Sequence, residues 1–181
     1  MTDPKTRRRI IHKRKKGCIP LSKLRMSDAV KIISNSPRRL EELFGMLEDR
    51  DRCIRDRAAA TLAQLASLHP SRLLRLVPRL REALLDESAY VRWHLAYTLG
   101  MLCARNPSRL QFVLPDLLGC LDDPNRVVRM LASKALAQVA VRSPRSVEEL
   151  FRGIERDIPP FVVDILRNSR MDVPKAEKNI G

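Results

Sequence analysis

Three stretches of the chain align without a gap: DRDRCIRDRAAATLAQL at residues 49–65, DESAYVRWHLAYTLGML at 86–102 and DPNRVVRMLASKALAQV at 123–139. Each begins 37 residues after the one before it. An Asp opens every copy (Asp49, Asp86, Asp123), and an apolar-Arg pair follows five residues later: Ile54-Arg55, Val91-Arg92 and Val128-Arg129. Further along, Leu62, Leu99 and Leu136 align, as do Leu65, Leu102 and Val139, with small Ala59, Ala96 and Ser133 between. Positions 54, 58, 62 and 65 fall on one face at about 3.6 residues per turn, so each copy reads as a helix that buries one stripe. A unit this short cannot cover its own stripe; stacking against the next copy does so.

Working outward, each of these helices is the second of a pair. The first helix is announced by Ser36-Pro37, Asn106-Pro107 and Ser143-Pro144, with His69-Pro70 a weaker version. A side-chain oxygen there is expected to cap the free amides while proline takes the first turn. Pro70, Pro107 and Pro144 keep the spacing of 37, but Pro37 to Pro70 is 33, so the first leading helix is about one turn shorter. Pro78 and Pro115 fall inside leading helices and are expected to bend them. Residues 28–34 (DAVKIIS) read as a lone second helix, and Ile165 keeps the Val128 position in a fourth copy that lacks the Asp and Arg. The organisation is then a basic arm (1–25), a domain over 26–170 and a polar tail (171–181). The domain divides into a half-repeat at 26–35, repeats at 36–68, 69–105 and 106–142, and a degenerate repeat at 143–170.

Composition agrees with one helical domain. The chain has 181 residues, 44% apolar and 31% charged, with six Gly and twelve Pro. No run of about 18 apolar residues could span a bilayer and no secretory signal is readable, so the expected location is cytoplasmic. Cysteines 18, 53, 103 and 120 have neither CxxC pairing nor histidine spacing, which argues against zinc and against a disulfide framework. Cys103 and Cys120 align with alanines and read as small packing residues; Cys18 reads as the more reactive thiol. No triad, phosphate loop or metal cluster can be assembled around His12, His69 or His94. No catalytic residue, metal or cofactor is assigned, and the expectation is a protein that is not an enzyme.

The recurring Asp-x4-Ile/Val-Arg with Ala and Leu at helical spacing, across residues 36–170, resembles the HEAT-repeat family. Tetratricopeptide repeats are the main rival, but their Trp/Leu-Gly/Tyr pattern does not recur in phase. The resemblance implies an all-α fold, a right-handed α-solenoid of stacked antiparallel helix pairs, shared in outline with ARM-like folds. It also implies that Asp49, Arg55, Asp86, Arg92, Asp123 and Arg129 form a structural ladder between neighbouring units, a reading preferred over phosphate binding. It further implies a protein partner held on the concave surface lined by second helices, hence an adaptor or scaffold. A glycosylase similar to the HEAT-like DNA glycosylases is a remote rival, because only Asp56 supplies an acid near Trp93.

Two places carry the binding expectation. With Leu62 at the centre of the buried face, positions 56, 60 and 64 rotate away from it, and in the second unit they become Trp93, Tyr97 and Met101. With Met130 and Lys134 of the third unit, these are the candidate partner-binding residues; the competing reading has Trp93 packing on the adjoining second helix. The other place is the arm, where ten Lys/Arg face one acid, Asp3, within residues 1–25 of a chain of net charge +14. Arg7, Arg8, Arg9, Lys13, Arg14, Lys15 and Lys16 have the charge density to bind a polyanion. With no aromatic before Phe44, nucleic-acid contact there would be independent of sequence. A solubilising arm or a nuclear address is the alternative. Oligomeric state is not encoded in any of these features.

Overall fold

A computed structural model of the chain describes residues 19–152, Pro160 and Asp164. The arm residues Arg7, Arg8, Arg9, Lys13, Arg14, Lys15 and Lys16, Cys18, and the tail after 170 lie outside the described residues. Among the described residues the chain is all helix and turn: an all-α solenoid. The elements are α1 (Met26–Asn35), α2 (Leu40–Leu47), α3 (Arg52–Leu68), α4 (Pro70–Leu73), α5 (Val77–Glu82), α6 (Ala89–Arg105), α7 (Leu114–Gly119), α8 (Arg126–Arg142) and α9 (Pro144–Phe151).

The second helices α3, α6 and α8 each run 17 residues and begin 37 residues apart. They stack side by side, with α6 between α3 and α8, α1 against the outer side of α3, and α9 against α8. The first helices form the other layer, α2 on α3, α5 on α6 and α7 on α8. The stripe buried between the layers is the one set by the repeat: Leu62, Leu99, Leu136, Val91 and Val128 have no exposed surface. It is completed from the first layer by Leu43, Phe44, Leu73, Leu80, Val113 and Leu117. Burial of an apolar side chain of this size contributes about 1.5–3 kcal/mol, so this stripe outweighs the modest propensity of any single helix.

Two local expectations are corrected. Ser36, Asn106 and Ser143 do not cap the following helix with their side chains. Neither serine makes such a bond, and the Asn106 Nδ2 instead donates to the Leu102 carbonyl at the end of α6. The Ser143 hydroxyl pairs with that of Ser146 at 2.7 Å. At all four junctions the backbone serves: residues 36, 69, 106 and 143 sit at φ between −137° and −146°. Their carbonyls accept the amides of Arg39, Arg72, Arg109 and Ser146 at 3.0–3.2 Å. Pro78 and Pro115, in turn, break the leading helices rather than bend them. The turn before each tightens to 3₁₀ (Leu74–Leu76, Gln111–Val113), and α5 and α7 restart with the proline in the first turn. Proline has no amide for the carbonyl four residues back and its ring crowds that carbonyl, so the earlier turn cannot continue as α.

Candidate functional site

The edge formed by the turns inside the units holds the recurring Asp and Arg. Arg55 Nε donates to Asp86 Oδ2 of the next unit at 2.8 Å, and Arg92 Nε donates to Asp123 Oδ2 at 2.6 Å. The same guanidiniums reach back through Nη1 to the carbonyls of Asp49 and Arg50, and of Asp86 and Glu87, in their own units. The other carboxylate oxygen of each Asp accepts the amide two residues on, from Ser88 and Asn125, at 2.7 Å. One arginine therefore fixes its own turn and the next one, and one Asp fixes its turn and the preceding arginine. Arg92's hydrogen bonds hold the Asp123 carboxyl below its ordinary value, and the carboxylates raise Arg55 and Arg92. The two ends differ. Among the described residues the Asp49 carboxylate accepts just the Asp51 amide, and Arg129 grips the carbonyls of Asp123 and Pro124 without a carboxylate, Pro160 standing at the next Asp position.

On the second-helix layer the predicted outward column is only partly outward. Trp93, Tyr97 and Met101 are half-buried, and Ala60, expected to be exposed, is buried. Neighbouring second helices on both sides of α6 cover the flanks of a face that a lone helix would show to water. Met130 and Lys134, on α8, are exposed as expected from their register. Trp93 stacks on His94 with ring centroids 4.0 Å apart and an interplanar angle of 29°, and meets the Tyr90 ring edge-on at 5.2 Å. His94 Nε2 is buried without a hydrogen-bond partner, and burial lowers the imidazole's pKa against the opposing pull of Asp56.

Tyr90 and Val127, each 41% exposed, extend this surface together with Met130, which is 58% exposed. The register of positions 56, 60 and 64 contains Met130 but neither Tyr90 nor Val127. Residues 53, 90 and 127 form the next column over, and Tyr90 in it was the available signal. Half-buried Trp93 thus lies beside exposed Tyr90 on α6, and the neighbouring α8 exposes Val127 and Met130. Amphipathic rings of this kind supply large contact area with little conformational entropy to lose.

Reactive chemistry is sparse. Among the described residues no group of His, Cys, Asp and Glu is placed to hold a metal ion. Burial pushes the Cys103 thiol up to about 12 and that of Cys120 to about 11, whereas Cys53 is exposed. Arg57 Nη1 donates to the Ser22 carbonyl at 2.8 Å. No described helix is long and apolar enough to cross a membrane.

No curated protein matches the chain. A family model described as HEAT repeats matches residues 77–167, half of the sequence, spanning the second and third in-phase units and much of the degenerate fourth. The 37-residue period, the paired layers and the Arg-to-Asp rungs fall within and beside that match, and the chain belongs to the HEAT-repeat family.

Proposed function

We propose that the protein is a non-catalytic adaptor that holds a segment of another protein against its second-helix layer, the surface lining the concave face in solenoids of this family. The observation that carries this reading is the run of exposed apolar side chains on adjoining second helices, Tyr90 of α6 edge-on to half-buried Trp93, and Val127 and Met130 of α8. HEAT repeats generally act as protein-interaction scaffolds, and an apolar group of this kind on an otherwise charged chain suits an anchor residue. Lys134, exposed one turn beyond Met130, favours a segment whose apolar anchors are followed by an acidic residue.

Tyr90 and Met130 are better probes than Trp93 and Tyr97, because the half-buried pair supports the stack as well. The double variant Tyr90→Glu/Met130→Glu is expected to keep the wild-type helical circular dichroism and to lose the partners that the wild-type chain captures from a nuclease-treated lysate. Capture of the same partners by the variant would sink the reading.

A further inference from the structure

The turns of the solenoid separate by charge. The four turns that join successive units, residues 35–39, 68–72, 105–109 and 142–146, contain seven arginines and no acid. The three turns inside the units, residues 48–52, 85–89 and 122–126, contain seven acids against three arginines. Because the helices of each pair run in opposite directions, the first set shares one edge and the second set the other. The contacts agree: Arg72 Nη1 donates to the Ser34 carbonyl at 2.7 Å, and Arg105 Nη1 to that of Ala66 at 3.3 Å, each reaching the end of the preceding second helix. The Arg55–Asp86 and Arg92–Asp123 rungs run along the opposite edge.

Three of the seven arginines serve the fold: Arg72 and Arg105 as above, and Arg39 through Glu42 and the Ile19 carbonyl. The remaining four, Arg38, Arg109, Arg142 and Arg145, are exposed and join no ion pair among the described residues. Every cation in these turns is arginine and none is lysine. Guanidinium forks match phosphate oxygens two at a time. Packed helices lie about 8–10 Å apart, so the basic turns recur at about three base-pair steps of a duplex, at ~3.4 Å per step. The Ile19 carbonyl accepts from Arg39 Nη2 at 2.7 Å, so Ile19 lies at this same edge, and the ten cations within residues 1–25 are near it in sequence.

We propose that the inter-unit edge is a nucleic-acid-binding surface on which Arg38, Arg109, Arg142 and Arg145 contact backbone phosphates several steps apart along the chain. None of Phe, Tyr or Trp occurs in the four turns, so recognition is of the phosphodiester chain rather than of sequence. A continuous polyanion fits a row of arginine-bearing turns better than an acidic peptide does, whose carboxylates are set by its own fold. The surface is separate from the Tyr90–Met130 face and stands or falls independently of it.

The test uses the full-length chain and a fluorescent mixed-sequence duplex of about 20 base pairs, which exceeds a row of about 30 Å. Affinity is measured by anisotropy across a salt series. Wild type is expected to bind. The variant Arg38→Gln/Arg109→Gln/Arg142→Gln/Arg145→Gln, with the arm intact, is expected to bind more than about tenfold more weakly. Its slope of log affinity against log salt should be shallower by about 3 to 4, at ~0.9 per lost phosphate contact. The opposite-edge variant Arg50→Gln/Arg126→Gln is expected to match wild type. The proposal is overturned if wild type does not bind, or if the four-glutamine variant keeps wild-type affinity and slope with unchanged circular dichroism. It is also overturned if polyglutamate of equal charge competes as well as unlabelled duplex, which would assign the edge to acidic proteins.

Discussion

Replacing Gly100 by Ala probes the closest approach in the stack. A Cβ added at Gly100 of α6 lies 2.3 Å from the Ala135 Cβ of α8 and 3.2 Å from its Cα, whereas carbon atoms rest about 3.5–4.0 Å apart. The Ala135 Cβ has no torsion by which to move aside, so the helices themselves must separate by more than about 1 Å. Two effects compete. Alanine improves helix propensity by about 1 kcal/mol. Overpacking costs about 1–3 kcal/mol, and the upper end applies because both clashing atoms are fixed to backbones and separation loosens fully buried Leu99 and Leu136. The expected result is a net loss of about 1–2 kcal/mol, or several degrees in Tm for a chain of this size. Urea unfolding should be followed both by circular dichroism and by the fluorescence of Trp93, the single tryptophan, because repeat arrays can unfold in steps. Adding Ala135→Gly removes the 2.3 Å contact and leaves one that a shift of a few tenths of an ångström relieves. The double variant should therefore show a favourable coupling of at least about 1 kcal/mol. A Gly100→Ala protein as stable as wild type, or more so, would refute the close approach of α6 and α8.

Other outcomes follow from the rungs and the buried groups. Asp123→Ala should destabilise more than Asp86→Ala, because Arg92 pairs only with Asp123 while Arg55 keeps Glu87 at 2.6 Å. Stranding a nearly buried arginine costs up to about 3–5 kcal/mol, and with Arg92 15% exposed about 2–3 kcal/mol is expected; equal losses by thermal denaturation would contradict the pairing. Since the Asp123 carboxyl is held below 3.8 in the folded chain, its contribution is complete above that value and is lost as pH falls through the folded pKa. Asp123→Asn should accordingly flatten the acid limb of a stability curve. His94, lowered by burial, stabilises the fold fully above 6.5 and progressively less as pH falls below it, with Asp56 the opposing charge. Protonation beside Trp93 should quench its fluorescence with a midpoint below 6.5, and a midpoint above it would contradict the burial of His94. In a Cys18→Ser background, one thiol, Cys53, should react with a maleimide at neutral pH, and Cys103 and Cys120 only after denaturation.

The stack was legible because two independent recurrences share one period. Leu62, Leu99 and Leu136 mark a buried stripe, while Asp86/Arg92 and Asp123/Arg129 mark a turn, and only stacked pairs satisfy both. Gly100 was not legible. At the matching positions stand Ala63 and Ala137, so a glycine there reads as a weak helix former, and its purpose depends on Ala135 of the next unit approaching within contact distance. The junction serines misled for a related reason. Ser-Pro before a helix is a sound capping signal, but the same backbone geometry recurs with His69, where no such cap exists. What the four junctions share is a main-chain hydrogen bond that any residue can make.

Surfaces were legible only in part, since helical periodicity locates a face on one helix and says little about what its neighbours cover. Trp93 rotates away from Leu99 yet lies between α3 and α8, and a single-helix projection contains neither. The basic edge escaped for a different reason. Its arginines recur in short columns, Arg39/Arg72/Arg109 and Arg105/Arg142 at the proline spacings of 33 and 37, but three of those five serve the fold, and the free ones, Arg38, Arg109, Arg142 and Arg145, share no single column. The opposite edge must keep Asp86 and Asp123 in register because each accepts from a fixed arginine and a fixed amide. A phosphate chain sets no such register, because a long arginine side chain reaches the same oxygen from any of several neighbouring positions. The free arginines Arg38, Arg109, Arg142 and Arg145 are therefore held to no one column, whereas Asp86 and Asp123 are held to one by their fixed donors.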